Sequence, residues 1–284
     1  MIFKKYIKQQ GFSLVEMAIV LVILGFVLGA LLLPLRAQRE QAAQIQTEYT
    51  LENAKQALLG YAQQQGRLPC PATNNGTATF PDDTGNANPL GGTHNITPPS
   101  PAVPNCAVQS GFFPAATLGI QPTDAQGFAL DAWNNRIRYA VTADNSSGFA
   151  APRVPFTPID ATHPACGGDT APDFTTTGNM ATVGLACLAP DLKISCGQIT
   201  TPECTPANFL TSNAVAVVYS TGANGALPNA NVGADEVANK SATTTFYSRT
   251  PTAKGTAQGE FDDVVTWISP FVLYNAMIAS GQLH

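Results

Sequence analysis

The chain has 284 residues, of which 12% are charged, with 24 Gly, 22 Pro and a formal net charge of -5. That length allows one sizeable core, while the negative balance and the want of any Lys/Arg cluster after Lys8 argue against a nucleic-acid backbone as partner. It has three histidines and no Gly-x-Ser-x-Gly, His-Glu-x-x-His or phosphate-cradling loop, so no enzyme activity is expected.

At the amino-terminal end, Lys4, Lys5 and Lys8 precede Gly11-Phe12-Ser13-Leu14-Val15-Glu16, and residues 17–35 carry no charge. About 20 apolar residues suffice to cross a hydrocarbon core of roughly 30 Å, and the lysines predict that the end bearing them stays in the cytoplasm. A secretory signal fits poorly, because Leu33-Pro34-Leu35-Arg36 is bulky and basic where a small-residue cleavage site belongs. A plain anchor explains the length but not Glu16, since a carboxylate there is costly unless a partner neutralises it or function requires it.

Residues 4–16 resemble the type IV pilin superfamily, whose pattern is a basic leader ending in Gly, then Phe, Ser or Thr, Leu, an apolar residue and Glu. The superfamily includes type IV pilins and the pseudopilins of type II secretion. The resemblance implies that residues 1–11 form a leader removed by an inner-membrane prepilin peptidase/N-methyltransferase, which cuts between Gly11 and Phe12 and methylates the new amino group of Phe12. It implies an α+β, type IV pilin-like fold, with a long N-terminal helix packed on an antiparallel sheet and a disulfide-stapled, loop-rich globular region. The implied partners are other pilin or pseudopilin subunits and an inner-membrane assembly platform. Before assembly the chain would cross the bacterial inner membrane once, with its C-terminal domain in the periplasm, and afterwards stand in a pilus or pseudopilus. Glu16 of one subunit is then expected to face the freed amino group of Phe12 on its neighbour and so fix their stagger.

Periodicity predicts one helix from Phe12 through Gly25, Gly29 and Pro34 to about Gln65, with Ala42, Ile45 and Tyr49, then Leu51, Ala54, Leu58 and Tyr61 recurring at helical spacing. Residues 12–35 would be its transmembrane and filament-core half, and 36–66 its amphipathic half. Pro34 removes one backbone donor and is expected to kink it or loosen it locally. Gly66 and Pro69 stop it.

Residues 67–284 form the expected globular domain. The six cysteines, Cys70, Cys106, Cys166, Cys187, Cys196 and Cys204, all follow the apolar segment, in a compartment where disulfides persist. Spacing does not fix their pairing; near-neighbour closure suggests Cys70 with Cys106, Cys166 with Cys187 and Cys196 with Cys204. His163 with the last four cysteines lacks the close Cys-x-x-Cys pairs of a zinc ribbon. Residues 73–110 read as a long ordered loop, and 144–212 as an insertion with few regular patterns.

Strand signals fall at 136–141 and 214–220. The stretch from Asp131 through Trp133 to Tyr139 resembles a turn-and-strand segment of major pseudopilins, though Asn135 departs from the usual order, in which Gly follows Trp. Tyr219-Ser220-Thr221-Gly222-Ala223-Asn224-Gly225 also resembles pseudopilins, in which such a turn precedes an acidic, calcium-binding loop. Asp235, Glu236, Asp262 and Asp263 are the hard oxygen donors nearby. The alternative is a plain Asn224-Gly225 turn with Asp262 or Asp263 as a cap. Calcium is the one cofactor considered. At the end, Ser269 is the expected N-cap, Pro270 the first helical residue, Phe271, Tyr274 and Ile278 the apolar stripe, and Gly281 the stop.

Size and the cysteine-rich insertion favour a minor pilin-like subunit of a type IV pilus. A type II secretion pseudopilin is the close alternative, and a tip adhesin or ligand-binding module on the same anchor is the alternative from another class.

Overall fold

The structure is a computed structural model. It describes residues 14–72, 96–97, 105–106, 109–142, 190, 192–199, 205, 209–241 and 244–283; side chains at 28 and 30–37 and at the two short strands before residue 109 are outside that description. The chain divides into two compact units, one ending at Ile45 and the other beginning at Gln46.

Helix α1 spans Leu14–Gln65 and contributes to both units. In the first unit its residues from 14 to 27 are all exposed, among them Leu14 at 88% and Phe26 at 77%. The second unit starts on the same helix. There Leu51, Ala54, Leu58, Leu59 and Ala62 are buried at the three- and four-residue spacing that places side chains on one helical face. Ile45 and Tyr49, expected on that face, are instead 58% and 70% exposed. The stripe begins lower, with Thr47, whose hydroxyl accepts from the Ala132 backbone N–H. Gly66 ends the helix with φ 67°, its N–H donating to the Ala62 carbonyl; this left-handed geometry suits a residue without a Cβ.

A short pair comes first in the globular part, β1 (Ile96–Thr97) with β2 (Asn105–Cys106). The main sheet follows, made of β3 (Ser110–Phe112), β4 (Arg138–Val141), β7 (Ala216–Ser220) and β9 (Val264–Ile268), in the order β3-β4-β7-β9 and antiparallel throughout. Alternation along β4 and β7 sends Tyr139, Val141, Ala216 and Val218 to one face and Ala140, Val217 and Tyr219 to the other. On the first face lie the buried stripe of α1, the short helix α2 (Ala115–Leu118) and helix α4 (Pro270–Ala279). On the second lies a smaller sheet of β5 (Leu192–Ser195), β6 (Phe209–Ala214) and β8 (Thr245–Tyr247), ordered β6-β5-β8. Its β5–β6 pair is antiparallel and its β5–β8 pair parallel.

Two of these strands, β5 and most of β6, fall inside the segment 144–212 read as an insertion. Leu192 and Ile194 of β5 are fully buried, so this part belongs to the core; residues 143–189 lie outside the description. Each large apolar side chain taken wholly out of water contributes about 1.5–3 kcal/mol before the entropy of ordering is counted.

The last helix begins as its sequence predicts: Ser269 accepts from the Val272 N–H and Pro270 occupies the first turn. Its buried face differs. Leu273 and Met277 enter the core, whereas Phe271 and Ile278 are 76% and 49% exposed. Two apolar stripes compete on this helix, and the core takes the one spaced by four residues that starts two residues later, at Leu273.

Candidate functional site

The amino-terminal motif is only partly described. Gly11 and Phe12 lie outside the described residues; Glu16 sits exposed in the first turn of α1, surrounded by exposed apolar side chains. Helix α1 runs through position 34, and the side chain of Pro34, where a kink is expected, is outside the described residues. Among the described residues no helix is long and apolar enough to cross a membrane. The span expected over 12–35 lies partly outside the described residues, which leave out 12 and 13 and the side chains at 28 and 30–35.

Two turns organise the far end of the main sheet. Asp131 Oδ1 accepts from the N–H groups of Trp133 and Asn135 at 2.9 and 2.7 Å, and its Oδ2 accepts from the Ser220 hydroxyl at 2.6 Å. Asn134, directly after Trp133, has φ 65°; Asn tolerates this left-handed region where most side chains do not. Asn135 Nδ2 then donates to the Gly222 carbonyl at 2.6 Å, tying the first turn to the second. Gly222 has φ 63°, and a Cβ there would lie 2.0 Å from Asp262 Oδ1, so this backbone can run against that carboxylate only without a side chain.

Beside the second turn, carboxylate oxygens of Glu236, Asp262 and Asp263 lie within 4.8 Å of one another. Glu236 comes from helix α3 (Ala234–Lys240), and the two aspartates immediately precede β9. Glu236 is fully buried. Its Oε1 accepts from Asn224 Nδ2 (3.1 Å) and the Asp262 N–H (2.7 Å), and its Oε2 from Asn224 Nδ2 (3.0 Å) and the Gly233 N–H (2.7 Å). Asp262 Oδ2 accepts from the Asn224 N–H at 3.1 Å, and Asp263 Oδ2 from Asn239 Nδ2 at 2.8 Å. The remaining oxygens, Asp262 Oδ1, Asp263 Oδ1 and Asn224 Oδ1, are buried with no donor.

Of the four acids marked in the sequence, Asp235 stands apart. Its Oδ2 pairs with Arg249 Nε at 2.8 Å, both side chains being buried, and its Oδ1 accepts from the Gln198 N–H. The sequence reading missed Asn224 and Asn239 as members of the cluster. One signal was available: Glu236 and Asn239, three residues apart on a short helix, share a face.

Burial pushes the Asp263 carboxyl up to about 8, against the Asn239 hydrogen bond, and the neighbouring Glu236 and Asp262 charges add to the rise. Asp262 is raised as well, first by burial and then by Glu236. A carboxyl raised above its unfolded value of 3.8 contributes stability that is full below that value and is lost as pH climbs through the folded value. In a chelating buffer the melting temperature of the full chain should therefore fall as pH rises from about 5 to about 8; a flat or rising profile over that window would contradict the placement of these acids. Crowded hard oxygens, three of them lacking donors, fit a calcium ion by donor type and charge.

Among the cysteines, Cys70 and Cys196 are disulfide-bonded, and Cys70 is buried. Of Cys106 only the backbone is described, and Cys166, Cys187 and Cys204 lie outside the described residues. No curated protein and no solved structure matches the chain. The prokaryotic N-terminal methylation motif matches residues 7–32, a stretch that takes in the exposed apolar turns of α1 and the acid in its first turn. The chain therefore carries at its amino-terminal end the motif that is the hallmark of type IV pilins and pseudopilins.

Proposed function

We propose that this protein is a structural, minor pilin-like subunit of a bacterial type IV pilus, built into the filament through its N-terminal helix. The observation that carries the reading is the methylation motif at 7–32 leading into a helix whose residues from 14 to 27 are exposed on every side. Apolar surface on all faces of a helix needs cover from lipid or from other helices. In this reading prepilin peptidase cuts between Gly11 and Phe12, residues 12–35 hold the chain in the inner membrane until assembly, and Glu16 then meets the amino group of a neighbouring Phe12. The globular domain is stapled by Cys70–Cys106, Cys166–Cys187 and Cys196–Cys204.

A pseudopilin of a type II secretion system is the second reading. It is favoured by the Asp131 and Gly222 turns and by the acids beside them, for which we propose calcium as the ligand. Quantitative mass spectrometry of sheared filaments decides between the two. The tagged chain should be recovered with pili at a small fraction of the major subunit. Its absence from pili, with secretion lost on deletion, would favour the second.

A further inference from the structure

We infer that the outer face of helix α4 is a docking surface, on which a neighbouring pilin-like subunit of the filament covers Phe271, Val272 and Ile278. The inference rests on the pilus reading above and adds the part of the globular unit that meets the next subunit.

Helix α4 holds no charged residue, whereas the shorter α3 holds three, Asp235, Glu236 and Lys240. One side of α4 enters the core through Leu273 and Met277, yet its other side is also apolar. Phe271 and Ile278 stand seven residues apart and so share a line on the helix, as do Val272 and Ala279 beside them. All four are exposed, and Asn275 is the one polar side chain exposed among them. Single apolar residues on a surface are ordinary, but a helix apolar on both sides is ordinarily covered. What covers this one is indicated by its place against α1. Gln63 Nε2, on the exposed side of α1, donates to the Ala276 carbonyl at 3.2 Å, so α4 flanks that side. Along the same side, at seven-residue steps from Gln63, lie exposed Gln56 and Tyr49. Between them Gly60 would carry a Cβ with nothing within 4 Å of it, so the chain's own packing does not call for a glycine that weakens the helix. A neighbour approaching closely from outside does. The exposed side of α1 and the outer face of α4 thus adjoin, and α1 is the helix whose amino-terminal turns carry the motif of subunits that associate with one another. The chemistry also suits protein rather than lipid. Helices that lie on a bilayer draw affinity from Lys and Arg, but neither α4 nor the last turn of α1 has a basic residue, and residues 63–65 are three glutamines. An apolar centre with an amide rim is the usual make-up of a protein interface.

Incorporation of full-length variants, measured in sheared filaments against membranes of the same cells, tests the surface. Phe271→Glu and Phe271→Lys should each lower incorporation about tenfold or more, since either charge is buried without a partner at the contact. Leu210→Glu, at an exposed apolar position of the small sheet, should stay within about twofold of wild type. In detergent all three variants should melt within about 2 °C of the wild-type chain, because within one chain these side chains face outward. Benzoylphenylalanine in place of Phe271, irradiated in filaments, should give an adduct with another pilin-like subunit. Normal incorporation of both Phe271 variants overturns the inference, as does an equal loss for Leu210→Glu or a loss for one charge sign alone. An adduct confined to this chain or to lipid, or no adduct, overturns it too. So does melting of Phe271→Glu more than about 5 °C below wild type, which would set this face against the chain itself. Absence of the wild-type chain from sheared filaments overturns the pilus reading instead, and the inference with it.

Discussion

Replacing Glu16 with Ala is expected to keep the protein out of filaments while leaving it in the membrane fraction. The residue lies in the first turn of a helix otherwise apolar and exposed through position 27. Packed among like helices, it becomes a charge in an apolar core, tolerable only when a positive group stands against it. In the proposed filament that group is the amino terminus of the neighbouring Phe12. Ala relieves the burial of the carboxylate but strands the neighbour's positive terminus, and removal of one partner of a buried pair typically costs about 3–5 kcal/mol. A loss of about 3 kcal/mol per subunit added lowers incorporation roughly a hundredfold. Immunoblots of sheared filaments and of membranes from the same cells measure both arms. Normal incorporation of the Ala variant would remove Glu16 from the mechanism.

Glu236→Ala should be the most damaging change within the globular unit, lowering its stability by about 3–5 kcal/mol. The truncation leaves the Asp262 and Gly233 N–H groups and the Asn224 amide without their acceptor in a buried setting. Relief of repulsion with Asp262 and Asp263 works in the opposite direction. Three stranded donors at about 1–3 kcal/mol each outweigh it. For a domain of this size the melting temperature should drop by about 10 °C. Glu236→Gln, which keeps one acceptor and introduces one clashing donor, should fall between the two. A melting temperature for the Ala variant within about 2 °C of wild type would show that the donors find water instead.

Local chemistry was readable from the chain. Ser269-Pro270 set the start of α4, Gly66 the end of α1, and β-branched runs marked β4 and β7. What periodicity could not supply was phase. Along α4 the positions 271, 274 and 278 and the positions 273 and 277 are both apolar, and only the sheet against which they pack decides that Leu273 and Met277 are buried. Of the four acids marked in the sequence three come together and Asp235 does not, for a related reason. Asp235 and Glu236 are neighbours in sequence, but successive residues on a helix point about 100° apart, so one reaches Arg249 and the other the acids before β9. Sequence proximity cannot tell them apart, and it gives no hint that an asparagine in a turn completes the group.

The parallel pairing of β5 with β8 has a consequence for the order in which the molecule assembles itself. Antiparallel neighbours can zip from a turn, but a parallel pair must wait for everything threaded between its strands. Here β6, β7 and α3 all intervene. The face of the main sheet bearing Val217 and Tyr219 is thus only partly covered, by Leu192 and Ile194 of β5, until β8 brings Phe246 against it, and distant contacts are slow to form. The small sheet is the closing piece of the domain, and its edge is where unravelling should begin.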